Sequence, residues 1–304
     1  MNHSKASVTA LFTAFARVYH ARHDSPKIFS DPLAEQLFAP QELAAFERKL
    51  AEALSFFDPE AARARPDPPT ALARMMQVYL APITLSRTRY AEDLLETAIR
   101  QGARQYVILG AGLDTFAFRR PDLLKRLHVF ELDHPATQAD KQRRIANAGW
   151  SMPEHLHFVP IDFTQGDLAS ALRGSPLNPQ APTFFSWLGV TYDLAAGAVF
   201  GTLRSLASLA PRGSLIVFDY LDAEAFIPEK APRRVQLMLV AAEAAGEPMQ
   251  TGFDPASLAS ALARAGLTLH EHLGPEQIQT RYFANRHDGY RAYEQVHFAA
   301  AAVS

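Results

Sequence analysis

Cysteine is absent from the 304 residues. Disulfides, thiolate nucleophiles and Cys-ligated metal centres are therefore excluded. No run of 18 apolar residues occurs, so a membrane-spanning helix is not expected. A charge excess is missing too: 30 Lys and Arg oppose 32 Asp and Glu, a net charge of −2. A surface that tracks phosphates needs a basic surplus, so neither nucleic acid nor a membrane is expected as a partner. The chain lacks Gly-x-Ser-x-Gly, the setting of a hydrolase serine, and the Gly- and Lys-containing phosphate loop. Its start, Met1 to Lys5, leads into a mixed segment and not the apolar centre of a signal peptide, so cytosolic residence is the default expectation. What is present is 48% hydrophobic and 20% charged, enough for one large domain with an appended cap.

The most informative stretch runs from Gln105 to Arg119. Tyr106 to Leu109 form a short apolar run suited to a strand covered on both faces. Gly110 and Gly112, around Ala111, allow a tight turn and a close approach of backbone to a ligand. Asp114 comes next, which suits a ligand carrying positive charge better than a pyrophosphate. Thr115 stands where a dinucleotide fingerprint has its third glycine. The next strand, Leu127 to His134, ends in acids. Asp133 lies 21 residues past Gly112, close to the spacing of a ribose-binding carboxylate. The alternative is an ordinary strand–turn–strand with acids in a solvated loop.

Three pieces carry a resemblance: the pair Arg87-Thr88, the turn Gly110-Ala-Gly-Leu-Asp-Thr115, and Glu131-Leu-Asp133. They resemble the leucine carboxyl methyltransferase-like family of S-adenosylmethionine-dependent methyltransferases, which includes bacterial O-methyltransferases of small-molecule pathways. The resemblance runs from about Thr9 to the last strand. It implies that Arg87 grips the methionine carboxylate of the cofactor, as a guanidinium fork can. It implies that Gly110, Ala111, Gly112 and Asp114 form the cofactor turn and that Asp133 takes the ribose. Asp162 and Phe163, after the third strand, hold the adenine in such proteins; a cap for the next helix is the competing reading of Asp162. Arg17 is a further candidate, because a basic residue of the first helix faces the cofactor in the family. Tyr192 matches a tyrosine at the cofactor–substrate boundary and is the catalytic candidate, against a plain core aromatic. The family usually has a glutamate beside the cofactor where this chain has Trp187, which leaves Trp187 backbone and packing contacts.

Strand-like segments near residues 105, 127, 156, 182, 214, 267 and 293 alternate with helical ones, which predicts a seven-stranded, doubly wound α/β sheet of Rossmann type. The resemblance adds the class I methyltransferase form, with an antiparallel last strand. Residues 1–100 read as a helical cap that closes over the strand ends, and 101–304 as the cofactor-binding domain, with an insertion at about 220–253. Helices are expected from Ser7 to His20, with Arg17 and His20 near the edge of its apolar face, and at 71–100, 136–147, 195–209 and 233–245. Asp31 with Pro32 and Asp254 with Pro255 read as helix starts. His155 and His157, like His270 and His272, are two apart on strands and would share a face. No third ligand comes at zinc spacing, so no metal is expected.

S-adenosylmethionine is the expected cofactor and a small-molecule acid the expected acceptor. A carboxylate, with a pKa near 4, is ionised at neutral pH and needs no base. A phenol or alcohol needs one, and no isolated base stands out. A hydroxyl acceptor, a methyltransferase that binds cofactor without turnover, and an NAD-type oxidoreductase are the alternatives; Asp114 and Thr115 argue against the last. A homo-oligomer is left open.

Overall fold

A computed structural model describes residues 7–164 and 166–304. Its centre is a sheet of eight strands: β1 Gln105–Leu109, β2 His128–Asp133, β3 Leu156–Pro160, β4 Thr183–Trp187, β5 Leu215–Asp222, β6 Gly252–Phe253, β7 Leu267–Leu273 and β8 Val296–Val303. The order is β3-β2-β1-β4-β5-β8-β7, with the two-residue β6 attached to the end of β5. β1 to β5 run parallel, and β8 inserts antiparallel between β5 and β7. The seven strands expected from the sequence are all present. β6 is additional and too short to carry a periodic signal.

β1 and β4 are buried along their whole length, because the sheet is covered on both faces. Alternate side chains feed two cores. Tyr106, Ile108, Phe184, Val217 and Phe298 join one, to which the N-terminal helices and the Ala81–Arg100 helix contribute. Val107, Leu109, Phe185, Trp187, Ile216 and Phe218 join the other, under the Ala196–Leu209 and Leu258–Arg264 helices. Four successive alanines, Ala299 to Ala302, let β8 fit between its neighbours and the layers above and below.

Helix starts obey local chemistry. Ser7 caps the Val8–His23 helix by accepting from the Ala10 N–H at 3.1 Å. Asp67 and His134 cap helices that continue with proline, whose missing N–H costs nothing there. The helical path from Pro68 reaches Arg100 through a π turn at Met75–Leu80, just before Pro82. Asp31 does accept from the Ala34 N–H, but it opens only a single 3-10 turn, Ala34–Leu37. The 254 start also shifts: Asp254 accepts from Ala256, and the helix begins at Leu258.

Arg17 and His20 do not lie at an edge; both are buried. His20 Nε2 accepts from the Ile28 N–H at 2.8 Å, which leaves Nδ1 to donate to Asp24 at 2.7 Å. Asp24 also accepts from Tyr290 and Gln77, so this buried histidine ties the first helix to the distant C-terminal segment. The histidine pairs differ from expectation in one case. A bulge between Leu269 and Glu271 breaks the period of β7, so His270 is exposed while His272 turns inward and stacks on His297. Among the described residues no cluster of three or more His, Asp or Glu is arranged to hold a metal ion. No described helix is long and apolar enough to cross a membrane.

Candidate cofactor site

A cleft opens at the C-terminal ends of β1, β2 and β4, where ligands bind in doubly wound sheets. Gly110, Ala111, Gly112 and Asp114 form one wall, Asp133 the next, Asp162 and Phe163 one end, and Arg87 with Gly189 and Asp193 the other. The first helix lies across the top.

The turn after β1 is pinned from below: the N–H groups of Gly110 and Ala111 both donate to the Leu132 carbonyl, at 2.8 and 3.1 Å. Gly110 and Gly112 have φ of +72° and +50°, a region where a side chain is strained. Their missing side chains make room for protein and not directly for ligand. A Cβ on Gly110 would stand 2.5 Å from Val190 Cγ2, and one on Gly112 would stand 3.1 Å from the Ala10 methyl. The glycines thus let the post-β4 loop and the first helix close onto the turn.

Asp133 accepts from the Gly112 N–H at 2.5 Å and from its neighbour His134 at 2.6 Å. Burial pushes its carboxyl above the usual range, and these two N–H groups pull the other way. Behind it, Glu131 and Lys141 form an ion pair in which both side chains are only 1% exposed. Burial pushes Glu131 up to about 7, opposed by Lys141 and reinforced by Asp114 and Asp133. Lys141 is the cation that balances this acidic wall. Asp114 uses one oxygen to accept from the Phe116 N–H at 2.6 Å, so it caps the next turn while facing the cleft. Asp162 accepts from the Thr164 N–H and hydroxyl, at 2.9 and 2.6 Å, and lines the cleft, but it does not cap the next helix: that helix, Leu168–Arg173, is capped by Asp167.

Arg87 is buried and braced. Its Nη1 donates to Asp219 Oδ2 at 2.9 Å and to the Tyr192 hydroxyl oxygen at 2.7 Å. The other Asp219 oxygen accepts from the Gly189 N–H at 2.6 Å. Nη2 and Nε of Arg87 make no hydrogen bond with the described residues and remain available to an anion in the cleft. Although burial alone would favour the neutral form, Tyr192 and Asp219 hold the guanidinium firmly charged. Arg17 lines the cleft, but its donors serve Asp31 at 2.8 Å and the Leu113 carbonyl at 2.6 Å. It supports the glycine turn from above.

Two expected residues lie elsewhere. Trp187 is fully buried in the core of the opposite sheet face and does not line the cleft among the described residues, since β4 turns Ser186 inward and Trp187 away. It backs Phe163, ring centroids 6.5 Å apart. Tyr192 is not among the residues that line the cleft; its hydroxyl accepts from Arg87 Nη1 at 2.7 Å and so braces the arginine. Asp219, Asp193, Gly189 and Glu247 were not singled out from the sequence. Asp219 follows the apolar run Leu215–Phe218 in the sequence, and that signal could have found it, although β5 itself continues to Asp222. Glu247 lies in an irregular segment with no pattern.

A parallel sheet with one inserted antiparallel strand, and a glycine turn facing an acid at the end of β2, define a class I S-adenosylmethionine-dependent methyltransferase. The sequence model of the family described as leucine carboxyl methyltransferase matches residues 10–207. The chain belongs to that family and is an S-adenosylmethionine-dependent methyltransferase. It is 41% identical over 302 residues to Bacillus subtilis (strain 168) YktD, provisionally named an S-adenosyl-L-methionine-dependent methyltransferase, with 99% of each chain covered. A protein of Mycolicibacterium vanbaalenii with the same provisional name is 30% identical over 234 residues, 75% of this chain and 72% of that one. A crystal structure of a duf574 family protein from Streptomyces avermitilis shares the fold, with a TM-score of 0.56, 16% identity and 99% of both chains covered.

Proposed function

We propose that the chain methylates an oxygen of a small molecule, with a carboxylate as the acceptor. The cofactor brings an electrophilic methyl group; the chain binds it, aligns the acceptor and excludes water. In this reading Phe163 and Asp162 hold the adenine, Asp133 the ribose hydroxyls, and Arg87 the methionine carboxylate. Residues 1–100 act as the lid. Support for the lid comes from the first helix, which reaches across the cleft: Ser7 N–H donates to Thr137, Thr9 N–H to Glu247, and Ala10 rests on Gly112. Closure of this kind keeps water from the methyl group.

The observation that carries the carboxylate reading is the lining around Arg87. Thr84, Thr88, Ser186 and Asp193 share the cleft wall with it and no lysine does among the described residues; the histidine on that wall, His134, stands beside Asp133 and uses Nδ1 to cap the Pro135–Asn147 helix. Displacement at a sulfonium by a carboxylate needs alignment and no proton transfer, and alignment is worth up to about 7–11 kcal/mol. Asp193 favours a second reading, a hydroxyl acceptor with Asp193 as the base. Incubation with methyl-labelled cofactor and matched panels of acids and phenols separates the two. Labelled methyl esters are expected; label in phenols alone would overturn the carboxylate assignment.

A further inference from the structure

The Asp193 carboxylate faces the cleft at the Arg87 end yet accepts no hydrogen bond from the described residues. Its place is fixed by its backbone. Asp193 N–H donates to the Val190 carbonyl at 3.1 Å, and its own carbonyl accepts from Gln250 Nε2 at 2.6 Å. Beside it, the Gln250 and Thr251 N–H groups donate to the Tyr192 carbonyl. The fields on the carboxylate come from Glu247 in the segment after the Arg233–Ala244 helix, Arg87 in the Ala81–Arg100 helix, and Asp219 within β5. Arg87 is already balanced by Asp219, so Asp193 and Glu247 add two acids at this end without a cation of their own.

An ammonium group next to a carboxylate is the chemistry that completes this arrangement. We propose that Asp193 and Arg87 together read the zwitterionic amino-acid end of the cofactor. The open Nη2 and Nε groups of Arg87 take the α-carboxylate, and the Asp193 carboxylate accepts from the α-ammonium. This rests on the cofactor-site reading above and assigns Asp193 to cofactor binding instead of base catalysis. It also has a protonic consequence. Burial and then Glu247 push the carboxyl up to about 8, which favours its protonated form near neutral pH. Docking an ammonium against it requires the ionised form, and a proton must leave to solvent.

The probes are S-adenosylhomocysteine and 5′-methylthioadenosine, which share the adenosine and sulfur but differ in the amino-acid end. Calorimetry on the full chain is expected to show Asp193→Asn weakening S-adenosylhomocysteine by about 10- to 100-fold, the range for one hydrogen bond to a charged group. The nucleoside, lacking the ammonium, should bind within about twofold of the wild type. A second measurement needs no variant. Titration of the wild type at pH 7 in buffers of different ionisation enthalpy should show proton release with S-adenosylhomocysteine and none with the nucleoside. Equal losses for both ligands, no loss for either, or no proton release overturns the assignment. If the wild type binds neither ligand, the cofactor-site reading fails and this one with it.

Discussion

Gly189→Ala tests how the arginine is held. Gly189 has φ +75°, and a Cβ there would stand 2.7 Å from Arg87 Cζ and 2.8 Å from Nη1, with Nη2 closer still. Holding alanine in the left-handed region costs roughly 1–2 kcal/mol. The guanidinium must also retreat from Asp219, a side chain with 0% exposure. Opening a buried pair completely costs about 3–5 kcal/mol, so with the pair fully opened the variant should lose about 4–7 kcal/mol in all. For a chain of this length about 1.5 °C is lost per kcal/mol, so the melting temperature should fall by up to roughly 6–10 °C. Displacement of the fork should also weaken S-adenosylhomocysteine by about tenfold or more. Gly213→Ala is the control. It shares the backbone conformation, φ +87°, but its Cβ would meet nothing within 4 Å. It should show only the backbone term, with affinity unchanged. Scanning calorimetry and ligand titration on both variants decide. If Gly189→Ala behaves like Gly213→Ala in both assays, Gly189 does not seat Arg87 and the reasoning is refuted.

Three other outcomes are expected from the geometry. Lys141→Met removes the cation beneath the acidic wall and should cost about 3–5 kcal/mol in urea unfolding, with Glu131→Leu in the same chain restoring much of it; a loss below about 1 kcal/mol would contradict the pairing. Asp193→Asn should be more stable than the wild type in the unliganded state. The raised native pKa means the native form holds a proton that the unfolded form releases, so the wild type loses stability as pH rises from about 4 to about 8, and the amide does not. Melting temperatures from pH 5 to 9 should diverge accordingly, and parallel curves would reject the shift. Ala10→Leu pushes a larger side chain against Gly112 and should lower S-adenosylhomocysteine affinity while leaving β-sheet circular dichroism intact; unchanged affinity would show that the first helix does not press on the turn.

Much of this was legible in the chain. The strands of the parallel core are continuous apolar runs because both faces are covered, and that pattern is local. Glycines 110 and 112 and the acid at 133 mark a ligand turn through spacing alone. The rest depends on contacts between distant segments. Nothing near Arg87 announces that Asp219, 132 residues away, will brace it. Strand parity decided the fate of Trp187: one residue's difference along β4 sends Ser186 to the cleft and Trp187 to the far core. Tyr192 was visible as an aromatic in the right loop, but its hydroxyl meets Arg87 and not the cleft. The bulge at His270 likewise left no mark in an alternating sequence.

The most direct test is a crystal structure with S-adenosylhomocysteine bound. The adenine is expected by Asp162 and Phe163, the ribose hydroxyls on Asp133, and the amino-acid end between Arg87 and Asp193. A ligand reversed in the cleft, or bound away from the Gly110 turn, would contradict this placement.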